Sequence, residues 1–301
     1  MTVTTTTPTT RRPSPPGRRR PRVSGRNVLG AMLSMPALAL FALFAIYPGL
    51  RVFYLSLFDY SLTSPPEFVG LDNFTFLAGD PRFHEALLHS LVYTVGTYLP
   101  ALALALVLAV ALSRRMRGAG WVRLLYFLPV ATSWVAISVV WRLVLHPDGL
   151  LNQTFGLDVD WLTSSAAATW ALVIMGIWKE TGFFLILYLA GLSRLPGEVY
   201  EAAQMDGAGA WQSFWRITFP LLKPITAICS VMGVIRGLQA FSPQVVLTDG
   251  AFGTEVVNLF VYKTAFENAR MGRASAVAVF MFLVLIAVTM LQLRAFRRED
   301  G

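Results

Sequence analysis

Six apolar runs leave this chain few ways to fold: residues 29–55, 91–112, 124–145, 169–192, 225–247 and 274–293. About 20 apolar residues cross the hydrocarbon of a bilayer as a helix, because a helix satisfies its own N–H and C=O groups where no water can. Of 301 residues, 55% are hydrophobic and only 14% charged, with a mean hydropathy of +0.57. That is too apolar for a soluble domain and too long for a single anchor. The expected fold is an all-α integral membrane protein with six transmembrane helices. No fixed-period repeat is visible, so residues 28–298 read as one transmembrane domain.

The formal charge of +8 raises the question of nucleic acid, but its distribution answers against that partner. Arg11, Arg12, Arg18, Arg19, Arg20, Arg22 and Arg26 all precede the first run, Arg114, Arg115, Arg117 and Arg123 lie between the second and third, and Arg294, Arg297 and Arg298 follow the last. The stretch 146–169 holds no Lys or Arg. Basic residues collect on the cytoplasmic side, so both termini are expected inside and the protein in the cell membrane, in contact with lipid. Residues 1–27, rich in Thr, Pro, Ser and Arg, offer almost nothing to bury and are expected to form a disordered cytoplasmic tail. The run after them is too long for a signal-peptide core and lacks a small-residue cleavage site. Cys229, the only cysteine, sits inside an apolar run and reads as a small buried hydrophobe.

Ions inside a span are costly, something like 2.5–3.5 kcal/mol each unless paired or hydrated. Lys179 and Glu180, after Trp178, lie well away from both ends of the fourth run, and Arg236 lies in the fifth with Gln239 and Phe241 beyond it. Two readings stand side by side: a path for a polar solute, or ions bracing the fold, with Glu180 as the partner of Arg236. Gly233 and Gly237, four apart beside Arg236, suit the close approach of another helix. Pro100 is expected to kink the second span unless neighbours satisfy the freed carbonyl, and Pro129 lies near the start of the third.

Between the fourth and fifth runs lies a polar-to-amphipathic stretch, residues 194–224. Pro196 suits a helix start, Glu198 and Glu201 suit its positive end, and Gly207 can adopt the left-handed stop. A helix ending near Asp206 is followed by an aromatic one from Ala210 to Ile217, with Trp211, Phe214 and Trp215, which Pro220 and Pro224 are expected to end. The result is a helix-turn-helix knuckle outside the bilayer.

The residues Glu201-Ala202-Ala203, Asp206-Gly207-Ala208, Phe214, Ile217, Pro220 and Pro224 resemble the EAA loop of ABC-importer permeases. Phe68-Val69-Gly70-Leu71-Asp72-Asn73-Phe74 is similar to an external segment of the sugar-transporting, binding-protein-dependent branch of that family. The resemblance implies a type I ABC-importer permease fold and a carbohydrate or sugar-like solute. It also implies a second permease, two ATP-binding subunits docked through the EAA loop, and an extracytoplasmic solute-binding protein. Glu201, Ala202, Ala203, Asp206, Gly207, Ala208, Phe214 and Pro220 are then the coupling residues, and Trp178, Lys179, Glu180, Arg236, Gln239 and Phe241 are candidates for the substrate path. One departure stands out: Asp249–Thr254 replaces the Gly-Gly-Pro turn usual in related sugar permeases.

Chemistry of the chain's own is not expected. A phosphate-cradling loop needs Gly-Lys-Ser or Gly-Lys-Thr, and none of Lys179, Lys223 and Lys263 follows glycine, so ATP and its magnesium belong to a separate chain. His84, His89 and His146, read as scattered over external loops, lack the spacing of a zinc helix, and no metal site is expected. A membrane-embedded hydrolase or transferase built on Asp148, Asp158, Asp160 and the histidines has no nucleophile elbow to support it. An ion- or proton-coupled carrier would use Lys179, Glu180 and Arg236 as a relay but leaves the knuckle unexplained.

Overall fold

The computed structural model describes residues 25–113 and 119–298. The expected tail up to residue 24 and the arginines at 114, 115 and 117 lie outside the described residues. By internal contacts the chain divides into residues 1–50 and residues 51–301. The first unit holds helix α1 (Gly25–Phe41) and a π-helical turn, Ala42–Ile46, which leads into α2 (Tyr47–Leu55).

The second unit opens with an antiparallel hairpin, β1 (Phe58–Ser61) and β2 (Ser64–Phe68). It continues with α3 (Asp72–Gly79), α4 (Pro81–Ser113), α5 (Ala119–Ala131), α6 (Trp134–Val144), α7 (Leu150–Phe155) and α8 (Ser165–Leu192). Then come α9 (Gly197–Met205), α10 (Ala210–Ser213), α11 (Phe219–Leu238), α12 (Ser242–Thr248), α13 (Val257–Tyr262) and α14 (Met271–Arg298). The small hairpin is an addition to the helical expectation. Asn73 explains how it is held: its buried amide donates to the carbonyls of Ser56 (2.9 Å) and Phe58 (3.0 Å).

Among the described residues, five helical stretches are long and apolar enough to cross a membrane, and a sixth qualifies only as the bent pair α5–α6. The third span, expected over residues 124–145, is thus two helices bent by 107°. Ser133 has extended backbone and its side chain accepts from the Ala136 N–H at 3.2 Å, so it ends one helix and caps the next. The fifth span is likewise interrupted. Helix α11 ends at Leu238, and after Gln239–Phe241 the chain restarts as α12. The aromatic helix of the knuckle does not stop at Pro220, as expected, but runs through a π-helical turn, Phe214–Thr218, into α11. Pro220 lies just past that π-helical turn, inside a helix continuous from Ala210 to Leu238, where the altered bonding of the turn accommodates its missing N–H. His84 and His89 lie on α4 rather than in loops.

Helices α4, α8 and α11 form the centre of the larger unit. Buried Ala101, Ala105 and Ala109 on α4 face a core that includes Val173, Met175, Phe184, Leu185 and Tyr188 of α8 and Leu222 and Cys229 of α11. Gly237 shows why small residues are needed here: a Cβ on it would stand 2.5 Å from the Thr94 methyl of α4. A second cluster joins Leu77, Phe83, Val257, Phe260, Val277 and Met281 around α3, α4, α13 and α14.

Candidate functional site

Adjacent residues on a helix point about 100° apart, so Lys179 and Glu180 cannot serve the same neighbour. Both are buried, 4% and 0% exposed, and each holds a different interrupted helix. The Lys179 ammonium donates to the carbonyls of Pro129 and Thr132, the latter at 2.7 Å, and stands 5.0 Å from the Trp134 ring. Those carbonyls lie at the end of α5, beside the bend, where the Pro129 carbonyl also accepts the Thr132 N–H at 3.3 Å. Glu180 instead accepts two bonds from Arg236, from Nε at 3.0 Å and Nη2 at 2.9 Å. The Arg236 guanidinium also lies over the Phe183 ring, 4.6 Å from its centre. Arg236 occupies the last turn of α11, where a cation complements the helix dipole.

Beside this pair opens a cavity of about 260 Å³ lined by Tyr93, Tyr98, Trp134, Glu180, Arg236, Gln239, Ala240, Phe241, Ser242 and Pro243. Both helix breaks contribute to it: Trp134 begins α6, and residues 239–243 span the gap into α12. Helices α6 and α12 also pack on each other. The structure thus brings together Glu180, Arg236, Gln239 and Phe241 from the expected path. Lys179 and Trp178 lie apart from the cavity lining: Lys179 is tied to the α5 carbonyls, and Trp178 lines a separate apolar groove with Pro129, Thr132 and Ile137 and stacks near Trp141, 5.9 Å between centres. Sequence reading missed Tyr93, Tyr98 and Trp134. The tyrosines sit in an otherwise apolar run, and only the packing of α4 turns them toward the cavity. The Tyr93 hydroxyl is buried and, among the described residues, makes no hydrogen bond.

The knuckle is built by different means. Gly207 has φ +77°, and the N–H groups of Gly207 and Ala208 donate to Gln204 (3.1 Å) and Ala203 (2.9 Å). These are the two bonds of a Schellman stop, which satisfies the last carbonyls of α9. Ala203 is buried, 8% exposed, while Glu201, Ala202, Asp206 and Gly207 are exposed. Across the turn, Tyr200 Oη and Thr218 Oγ1 are 3.0 Å apart, tying α9 to the start of α11. Trp211, Trp215, Phe214 and Phe219 form a run of ring contacts between 5.0 and 6.3 Å. Phe214 and Phe219 pack on the core, whereas Met205 (89%) and Trp211 (74%) are exposed. Ala208 is half-buried and Pro220 exposed. Among the described residues, no group of three or more His, Cys, Asp or Glu is placed to hold a metal ion.

Residues 81–299 match the family model described as the binding-protein-dependent transport system inner membrane component. The chain is similar to the probable ABC transporter permease protein YurN of Bacillus subtilis (strain 168), 32% identical over 287 residues that cover 91% of this chain and 98% of YurN. It is also similar to the lactose transport system permease protein LacF of Rhizobium radiobacter, 31% identical over 285 residues, 91% of this chain and 95% of LacF. Among solved structures, a chain of a bacterial alginate ABC transporter in complex with alginate pentasaccharide-bound periplasmic protein superposes with a TM-score of 0.81. That likeness carries 25% identity and covers 91% of this chain and 96% of the other. Membrane-spanning helices, a family match over 81–299 and relatives matched along nearly their whole length agree: this chain belongs to the binding-protein-dependent inner membrane components, the multi-pass permease subunits of ABC importers, which are not themselves enzymes.

Proposed function

We propose that this permease forms part of the translocation path for a carbohydrate or sugar-like solute and takes its drive from an ATP-hydrolysing subunit docked on the α9–α10 knuckle. The relatives named for lactose and alginate support the solute class. The observation that carries the docking role is the knuckle itself: a Schellman turn presents Glu201, Ala202 and Asp206 to the outside between the two long helices α8 and α11. Ala203, Ala208, Phe214 and Pro220 support that surface from beneath and beside it. In this reading, the cavity at Glu180, Arg236, Gln239 and Phe241 faces the solute.

The working importer in this reading pairs the chain with a second permease, two ATP-binding subunits and an extracytoplasmic solute-binding protein. ATP and magnesium stay on the ATPase subunits. Residues 1–27 are a cytoplasmic tail, residues 28–298 the permease domain, and both termini lie inside, as the distribution of arginines requires. Single-cysteine labelling tests the arrangement in intact cells, in a variant with Cys229 replaced by Ala. A cysteine at Asp72 is expected to react with an impermeant thiol reagent and one at Gly207 is not. The reverse pattern would remove both the orientation and the docking role. A cysteine at Ala202 is further expected to cross-link to the ATPase subunit.

A further inference from the structure

Only two of the residues lining the cavity carry charge, Glu180 and Arg236, and each is committed to the other. The guanidinium spends its Nε and Nη2 edge on both carboxylate oxygens, and one of its faces lies over Phe183. A bidentate pair of this kind cancels the net charge of both ions, while the Nη1 donors of Arg236 stay free for a neutral acceptor. Lys179, the nearest further cation along α8, spends its ammonium on the Pro129 and Thr132 carbonyls. What remains to meet a solute is a neutral surface: the aromatic rings of Tyr93, Tyr98, Trp134 and Phe241, the Gln239 amide and the Ser242 hydroxyl. The Tyr93 hydroxyl adds a buried polar atom that makes no hydrogen bond among the described residues.

Resting on the reading of this cavity as the solute path, we propose that Glu180 is its specificity-determining residue. By cancelling Arg236, it makes the cavity fit for neutral, hydroxyl-rich saccharides and unfit for uronates. An anionic sugar entering here would bring its carboxylate beside an ion pair of zero net charge: Arg236 could offer Nη1, but Glu180 at 2.9–3.0 Å from the same guanidinium repels the second carboxylate, so desolvating that carboxylate goes uncompensated. A neutral sugar incurs no such penalty: its faces stack on rings, and its hydroxyls meet an amide and hydroxyls. Glu180 is therefore a charge filter, and its removal should turn a neutral site into a cationic one.

The test uses the assembled importer in nanodiscs without its solute-binding protein, so that the permease alone selects. Saturation-transfer NMR with lactose and cellobiose as neutral probes and dimannuronate as the acidic one reads the preference. Wild type is expected to show transfer to the neutral probes and little to the uronate. Glu180→Gln, with assembly checked by retention of the ATPase subunit, is expected to raise uronate binding about tenfold or more, the scale of one unscreened charge interaction. Glu180→Gln combined with Arg236→Gln should restore the wild-type order. Uronate bound by wild type as well as the neutral probes overturns the proposal, whether or not a variant assembles; so does an assembled Glu180→Gln importer with unchanged preference. Uptake by the complete importer carrying Trp134→Ala checks the cavity separately. Unchanged uptake would remove the path reading and the filter with it, whereas reduced uptake alongside uronate binding in wild type would remove the filter alone.

Discussion

The centre of α8 and the knuckle that follows it both hold a chain that leaves a helix, and they do so by opposite means. At α8 two buried ions hold the turns: Lys179 binds the carbonyls at the α5–α6 bend, and Glu180 clamps Arg236 at the end of α11. In the knuckle the turn is exposed and made by the backbone, with Gly207 in the left-handed region and two hydrogen bonds back to Gln204 and Ala203, and its side-chain tie, Tyr200 to Thr218, is neutral. The difference follows from solvent. Where water is excluded, a broken helix leaves carbonyls that only a protein donor can satisfy, and a charged donor satisfies them best. Where water is present, the unpaired groups are hydrated, and a residue without a Cβ is enough to stop the helix.

This contrast predicts that damage at α8 is felt in stability and damage at the knuckle in coupling. The largest loss should come from Arg236→Met, which strips the partner from a carboxylate that is 1% exposed. Breaking a buried pair from one side costs about 3–5 kcal/mol. Thermal unfolding of the detergent-solubilised subunit should show a large drop, and adding Glu180→Gln should recover much of it. A double variant no more stable than the single one would show that the pair is not a closed unit.

Lys179→Met comes next. It removes the side-chain donor to the Thr132 carbonyl, which then incurs a desolvation penalty of about 1–3 kcal/mol unless water enters, and leaves the Pro129 carbonyl only the Thr132 N–H. Proteolysis near residue 132 should accelerate, and Lys179→Arg, which keeps a cationic donor, should slow it again. If methionine and arginine behave alike, the bend does not depend on the charge.

Gly237→Ala probes packing without touching an ion. Its new methyl would lie 2.5 Å from the Thr94 methyl and 2.7 Å from the Thr94 hydroxyl, so an overpacking cost of about 1–3 kcal/mol is expected. Thr94→Ala in the same chain should relieve it, as a double-variant comparison of melting temperatures would reveal.

The smallest effect on stability belongs to Gly207→Val. A Cβ there meets nothing within 4 Å, so the only cost is the left-handed backbone, about 1–2 kcal/mol. The subunit should reach the membrane at its normal level, yet lose its ATPase on extraction or hydrolyse ATP without uptake. Parental uptake with the ATPase retained would end the docking assignment.

Much of this could be read directly. The number of apolar runs and the Schellman glycine are local properties, governed by run length and by one residue's allowed φ, so they appear in the sequence. The pairing of Glu180 with Arg236 was also a natural expectation, because two opposite charges within spans have few other ways to be tolerated. The bends were harder. The 107° bend before α6 depends on Lys179 arriving from another helix to donate to the Pro129 and Thr132 carbonyls, and no pattern in residues 124–145 announces that. Similarly, Pro220 reads as a stop, yet the helix runs on past it by way of the π-helical turn Phe214–Thr218, which the residue pattern does not announce.

Composition and run length determined that this chain spans a membrane several times with a polar knuckle between two spans, since hydrocarbon imposes helices on any backbone that crosses it. Which way each buried side chain faces was decided only by tertiary packing. Lys179 and Glu180 are neighbours in sequence and equivalent in cost. The 100° between them on one helix sends the first to brace a bend and the second to neutralise Arg236 beside the cavity.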